Sequence, residues 1–164
     1  MVEKIIKKFN LQPHPEEGGF FRRSYTSSEK LYFAGVGEER FSSSAIYYLL
    51  TSNSVSRFHR LKQDEIWHFY SGDTIELLTI LPDKSIHLID MGSDVIADEI
   101  PQVVLRSGTI FGARIKAGGT YALFGATLSP EFSYTDYEKI DEQDLLEMCP
   151  EYKEMISDIM KERR

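Results

Sequence analysis

From Glu65 to Tyr70 the chain alternates strictly, with Glu65, Trp67 and Phe69 on one parity and Ile66, His68 and Tyr70 on the other. Successive side chains of a β-strand point to opposite faces, so one parity faces an interior and the other faces a second layer or a partner. Glu65 and Trp67, two residues apart, share a face whichever face that is. His59 stands across a short polar turn, Lys62-Gln63-Asp64, from Glu65. A basic imidazole and a carboxylate brought to one wall are what acid–base or metal chemistry needs.

The rest of the chain supplies partners for such a strand. Residues 20–26, 45–50, 74–81, 85–91, 102–105, 109–115, 120–128 and 132–137 read as further strands from their aromatic and β-branched content. They are separated by turn chemistry: Pro82-Asp83-Lys84, Gly92-Ser93-Asp94, Ser107-Gly108, Lys116-Ala117-Gly118-Gly119 and Ser129-Pro130. About ten short strands at near-regular spacing, with no helical stretch between them, predict an antiparallel sandwich or barrel rather than a parallel α/β sheet. Residues 27–41, with Gly35 and Gly37 among charges, read as a loop crossing one end of it.

Helices are expected at the two ends of the chain. Val2, Ile5, Ile6 and Phe9 fall at i, i+3, i+4 and i+7 with lysines opposite, and Pro13 and Pro15 stop that helix. From Asp141 the pattern turns helical again. Pro150 opens a second C-terminal helix whose one face carries Tyr152, Met155, Ile156 and Ile159. The 164 residues suit a single domain, 1–164, with a barrel over about 20–137 and a helical extension over 141–164.

Charge and composition narrow the partners. The formal net charge is −7, and residues 138–164 hold nine acids against five bases, so there is no basic footprint for nucleic acid. The one cysteine, Cys149, excludes an intramolecular disulfide and suits a reducing compartment. No apolar run reaches the length of a membrane span, and the first ten residues lack the apolar core of a signal peptide, so the expected location is the cytoplasm.

The stretch SRFHRLKQDEIWHFYSG resembles the first motif of the cupin superfamily, in which a Gly precedes His-x-His, then Glu, then a closing Gly. His59, Glu65 and Gly72 fall in its register, while Leu61 stands at the second His and Asn53 near the opening Gly. In the second motif Gly108 fits, Arg106 replaces a Pro, and the further His place falls at Phe111. With HPEEGGFFR upstream and YALFGATLSPEF downstream, the chain is similar to the cupin branch known as domain of unknown function 985, or cupin 5. The resemblance implies an all-β fold, the double-stranded β-helix or jelly roll, and no defined reaction.

What it implies about the site follows residue by residue. Of four ligands in a metal-binding cupin, His59 and Glu65 are retained and Leu61 and Phe111 cannot serve. No cofactor is therefore expected, and a metal on His59 and Glu65 is the disfavoured alternative. Retention of the first His with loss of the second is similar to the metal-free dTDP-sugar 3,5-epimerase cupins. By that likeness His59 is the candidate base and Tyr47 the candidate acid hydroxyl, with Tyr48 its competitor by parity. Glu65, Trp67, Arg22 and Glu17 are the candidate ligand-binding residues. The expected function is binding of a small polar, sugar- or sugar-nucleotide-like molecule by a metal-independent epimerase or isomerase. A non-catalytic binder and a metal-dependent enzyme are the alternatives. Small cupins of the epimerase kind commonly pair, so a homodimer is expected.

Overall fold

The computed structural model describes residues 1–161. Two antiparallel sheets face each other. The first runs in the order β1 (Gln12–Pro13), β2 (Phe20–Thr26), β5 (Ser44–Thr51), β12 (Tyr121–Ser129), β7 (Asp64–Gly72) and β10 (Gln102–Leu105). The second runs β13 (Glu138–Lys139), β6 (Val55–Arg60), β11 (Ile110–Ile115), β8 (Ile75–Ile80) and β9 (Ile86–Met91). This is the antiparallel sandwich that the spacing of strands and turns predicts, in the jelly-roll form that the resemblance implies.

Register decides which side chains meet inside. Across the first sheet Phe21 pairs Tyr48, Tyr48 pairs Phe124, and Ala126 pairs Trp67. Their inward parity builds the main core with Leu50, Leu77, Phe111, Ala113 and Ile115 from both sheets. Trp67, Tyr48, Phe111 and Phe124 are almost wholly buried, and burial of each such ring contributes on the order of 2 kcal/mol.

Helices cover the two outer faces. The helix α1 (Val2–Phe9) lays Val2, Ile5, Ile6 and Phe9 against Leu49 and Leu123 on the outside of the first sheet. It ends at Asn10 in the left-handed conformation, whose N–H closes the last turn. On the second sheet, Leu78, Ile80 and Ile110 meet Leu145 of α2 (Glu142–Met148) and Met155, Ile156 and Ile159 of α3 (Lys153–Met160). Pro150 starts a turn of 3-10 helix that leads into α3. The last three residues of the expected helical extension lie outside the described residues.

Two local readings are corrected. Residues 27–41 do not form a plain loop but hold a hairpin of β3 (Lys30–Phe33) and β4 (Glu38–Phe41). Gly37, at a φ of 78°, helps make the turn between them. Residues 132–137 are not a strand. Ser133 Oγ accepts the Thr135 N–H and starts a 3-10 turn over Tyr134–Asp136 instead. Buried Arg40 of β4 reaches across to Thr135 Oγ1 and Asp136, each at 3.2 Å, and ties that turn over one end of the barrel.

Candidate functional site

The site begins with a short loop, residues 14–19, laid along β6. Its His14 Nδ1 accepts the Glu17 N–H at 2.9 Å and the Glu16 N–H at 3.3 Å. Backbone N–H groups only donate, so the ring proton of neutral His14 sits on Nε2. The Glu17 carbonyl takes the Arg57 N–H at 2.9 Å, and the Tyr48 hydroxyl donates to the Gly18 carbonyl at 2.7 Å. Gly18 has a φ of 97°, and a Cβ there would stand 2.5 Å from the Val55 oxygen. Only glycine lets the loop lie this close to β6.

On β6 a β-bulge brings His59 inward. Phe111 pairs with His59 and Ala113 with Ser56, so Arg57 and Phe58 together oppose Gly112. Phe58 turns outward and its ring covers Gly112, where a Cβ would be 2.7 Å from the ring. Ser56 and His59 then share the inner face although they are three residues apart. His59 packs edge-on to Phe111 at 4.3 Å and stacks on Tyr137 at 4.8 Å. Its Nδ1 lies 2.7 Å from the Arg57 carbonyl, which only accepts, so His59 carries its proton on Nδ1 and bares the Nε2 lone pair.

These elements converge on one carboxylate. Glu17 Oε1 lies 3.6 Å from His14 Nε2 and 3.8 Å from His59 Nε2. A cavity of about 140 Å³ opens in front of it. Glu17, His14 and Glu65 form its polar end, and Phe21, Ile46, Leu128 and Phe132 line its apolar wall. Arg23, held by Glu131 at 3.1 Å and by the Phe132 carbonyl at 3.2 Å, lies beside them. A larger groove of about 560 Å³ lies outside the barrel against α2, but its principal cation, Arg60, is already closed in a bidentate pair with Glu138.

Burial sets the protonation states. The Glu65 carboxyl is pushed up to about 8, first by desolvation and then by the negative charge of Glu17. Glu17 is also raised by burial, against the opposing pull of His14 and Tyr48. Burial holds His59 down to about 4, and it lowers His14 as well. Near neutral pH the cavity therefore faces a protonated Glu65 and two uncharged imidazoles. Among the described residues, Ser56 Oγ, Trp67 Nε1 and the Tyr137 hydroxyl are buried without a hydrogen-bond partner. Trp67 Nε1–H lies close enough to Glu65 to favour its ionised form slightly, but without hydrogen-bond geometry.

Comparisons with known proteins establish the family. The sequence matches the family described as "Cupin superfamily (DUF985)" over residues 3–140. The chain belongs to the cupin superfamily. It is similar to the solved structure of a hypothetical protein from Leishmania major, with 30% identity, 99% of both chains covered and a TM-score of 0.88. A protein from Shewanella oneidensis matches at 33% identity, with 98% of this chain and 97% of that one covered and a TM-score of 0.84. Bacillus subtilis oxalate decarboxylase shares the fold alone, at 17% identity and a TM-score of 0.58, over 94% of this chain and 39% of its own. No curated protein sequence matches the chain.

A cupin metal would use the inner wall at His59, position 61, Glu65 and position 111. Leu61 and Phe111 are buried hydrophobes there. His14, the one extra imidazole nearby, turns a protonated Nε2 toward the cavity and so offers no lone pair. No three His, Cys, Asp or Glu side chains converge as metal ligands among the described residues. The donor set of this cupin does not fit a tightly held metal.

The candidates read from the sequence divide as follows. Glu17 and Glu65 line the cavity. His59 lies one layer behind, screened by Glu17, and 1% exposed. Trp67 is core, packed on Phe124 at 4.6 Å. Tyr47 is corrected: it faces outward under α1, 4.8 Å from the Phe9 ring, because Tyr48 takes the inward parity. Arg22 is corrected with it. It pairs Tyr47 in register and lies over that ring at 5.6 Å, so its neighbour Arg23 is the arginine on the cavity. His14 escapes the sequence reading. Its one local signal was a histidine fixed between Pro13 and Pro15, just before Glu17-Gly18-Gly19.

Proposed function

We propose that this cupin binds a small, uncharged, polar molecule of the sugar or hydroxy-ketone kind in the barrel and shifts a proton on it without a metal. Glu17 is the base and Glu65 the acid. One observation carries this reading: two buried carboxyls share a small cavity, and the charge of Glu17 is part of what keeps the proton on Glu65. With Glu17 ionised and Glu65 protonated, the two form an acid–base pair. The Glu17 carboxylate takes a proton from a carbon next to the ligand's carbonyl, and the Glu65 O–H donates to that carbonyl oxygen. Return of the proton to the other face or the neighbouring carbon gives an epimer or an isomer. The apolar wall limits water at the reacting carbon.

The test is solvent exchange. Incubated in D₂O with a panel of ketoses, aldoses and small hydroxy-ketones, the protein should move deuterium onto a carbon next to the carbonyl of at least one member. A chelator should leave the rate unchanged, and Glu17→Gln should stop it. Binding without exchange would make the protein a carrier rather than an isomerase, and exchange lost to chelation would make it a metal enzyme.

We also assign the uncovered part of the first sheet's outer face to a homodimer contact. Tyr25, Ala45, Thr127, Ile66 and Val104 form one row across five strands, and Tyr25 and Val104 are about half exposed. A monomer in sedimentation at micromolar concentration would remove this assignment.

A further inference from the structure

Two histidines face one oxygen of Glu17 in opposite tautomers, and that asymmetry has chemical content. His14 presents N–H to Glu17 Oε1, and His59 presents a lone pair to the same atom. An N–H favours a carboxylate. A lone pair opposes a carboxylate but accepts a hydrogen bond from a carboxylic acid.

Resting on the acid–base reading above, we propose that His59 is a positioning residue that makes Glu17 a stronger base, because its bare Nε2 rewards the protonated form of Glu17 and not the carboxylate. When a ligand C–H bond breaks, its electron pair stays on the ligand and delocalises into the carbonyl, while an O–H bond forms on Glu17 Oε1. That new O–H has an acceptor waiting. The separation of 3.8 Å is longer than a hydrogen bond, so the contact closes by less than 1 Å as the proton arrives. An interaction that exists only after proton uptake lowers the barrier rather than tightening ground-state binding. His59 stays neutral throughout, and the sandwich of Phe111 and Tyr137 keeps its ring in place. The His14 N–H, 3.6 Å from the same oxygen, favours the carboxylate from the other side.

The other ionisable groups about Glu17 come from every element packed on it. They are His14 and Glu16 on its own loop, Arg23 on β2, Tyr48 on β5, Glu65 on β7, and Tyr134 and Tyr137 from the segment that closes the barrel. None of them but His59 turns a bare lone pair to Oε1 in a form fixed by the backbone.

The test begins on the unaltered protein. Two-bond nitrogen–proton NMR spectra at pH 7 should show neutral His59 protonated on Nδ1 and neutral His14 protonated on Nε2. The same tautomer in both rings would overturn the proposal. The Glu17 side-chain carboxyl, labelled with ¹³C and assigned with Glu17→Gln, is then titrated in the protein and in His59→Phe, which keeps the ring stack. The pKa of Glu17 should fall by about one unit, and exchange should slow by about ten- to a hundredfold, within the range of general base effects. An unchanged Glu17 titration in folded His59→Phe would also overturn it. Failure of exchange on every sugar, with the tautomers and titration as stated, would sink the isomerase reading and leave this one standing. Persistent exchange with an indifferent Glu17 would do the reverse.

Discussion

The barrel interior has two halves built from the same strands. One is dry: Trp67, Tyr48, Phe124 and Phe111 interlock with centroids 4.6 to 6.5 Å apart and leave no room for a ligand. The other holds Glu17, Glu65 and His14 around a cavity, with His59 behind. β7 supplies both halves from two adjacent inward positions, Trp67 and Glu65. The difference shows how a packed core can support a destabilised site. Aromatic packing fixes the strands, and the strands then hold carboxyls where water would not leave them neutral. A buried carboxyl without a cation partner costs stability, and the dry half is what allows it.

The largest way to break this contrast is Trp67→Ala. Removing a fully buried indole should cost about 3–5 kcal/mol of unfolding free energy, read from urea curves. A loss under about 1 kcal/mol would mean that the dry half is not the frame of the barrel.

Next comes Glu65→Gln, followed as stability against pH. The folded pKa is raised to about 8 from 4.5. The stability that this proton contributes is full below pH 4.5 and fades as pH rises to about 8. Glu65→Gln has no proton to lose. It should therefore match the parent protein near pH 4.5 and exceed it by roughly 2–4 kcal/mol above pH 8. Parallel curves for the two proteins would mean that Glu65 is solvated.

His59 gives the opposite slope. Its folded pKa is held at about 4 against 6.5, so its neutral burial costs nothing above pH 6.5 and stability drains away as pH falls toward 4. His59→Phe should lose that acid-side drop, worth about 1–3 kcal/mol. If the variant falls as steeply as the parent over this window, another group titrates there.

How much of this could be read from the sequence depends on whether a residue's face follows from local pattern. The alternation around Trp67 does, which is why Glu65 and Trp67 could be given one face and His68 the opposite one. His68 does lie outside, bonded to Thr127 Oγ1 at 2.9 Å. The bulge at Arg57 and Phe58 does not. It depends on a partner, Gly112, more than fifty residues on, and parity counted through it would misplace Ser56 against His59. The β3–β4 hairpin was hidden because its strands are short and carry charged residues on exposed faces. Leu61 and Phe111 could be recognised in the ligand places from motif register, whereas His14 could not. Its meeting with Glu17 and His59 requires the 14–19 loop to fold back on β6, and no periodicity records such a fold.

Tyr47 and Tyr48 provide the smallest and sharpest test, because they are neighbours whose difference is one of face alone. Tyr48 is 1% exposed and donates to the Gly18 carbonyl at 2.7 Å, so Tyr48→Phe leaves that buried acceptor without its donor. The cost should be about 1 kcal/mol. Tyr47 lies on the outer face between Phe9 and Tyr70, with centroids 4.8 and 6.0 Å away. Tyr47→Phe keeps the ring and should change stability by less than about 0.5 kcal/mol. It should leave the Glu17 titration where it was, since no atom of Tyr47 reaches the cavity lining. A larger loss from Tyr47→Phe than from Tyr48→Phe, or a shift of Glu17 in Tyr47→Phe, would reverse the two faces of β5. The acid–base site would then have to be rebuilt around the other tyrosine.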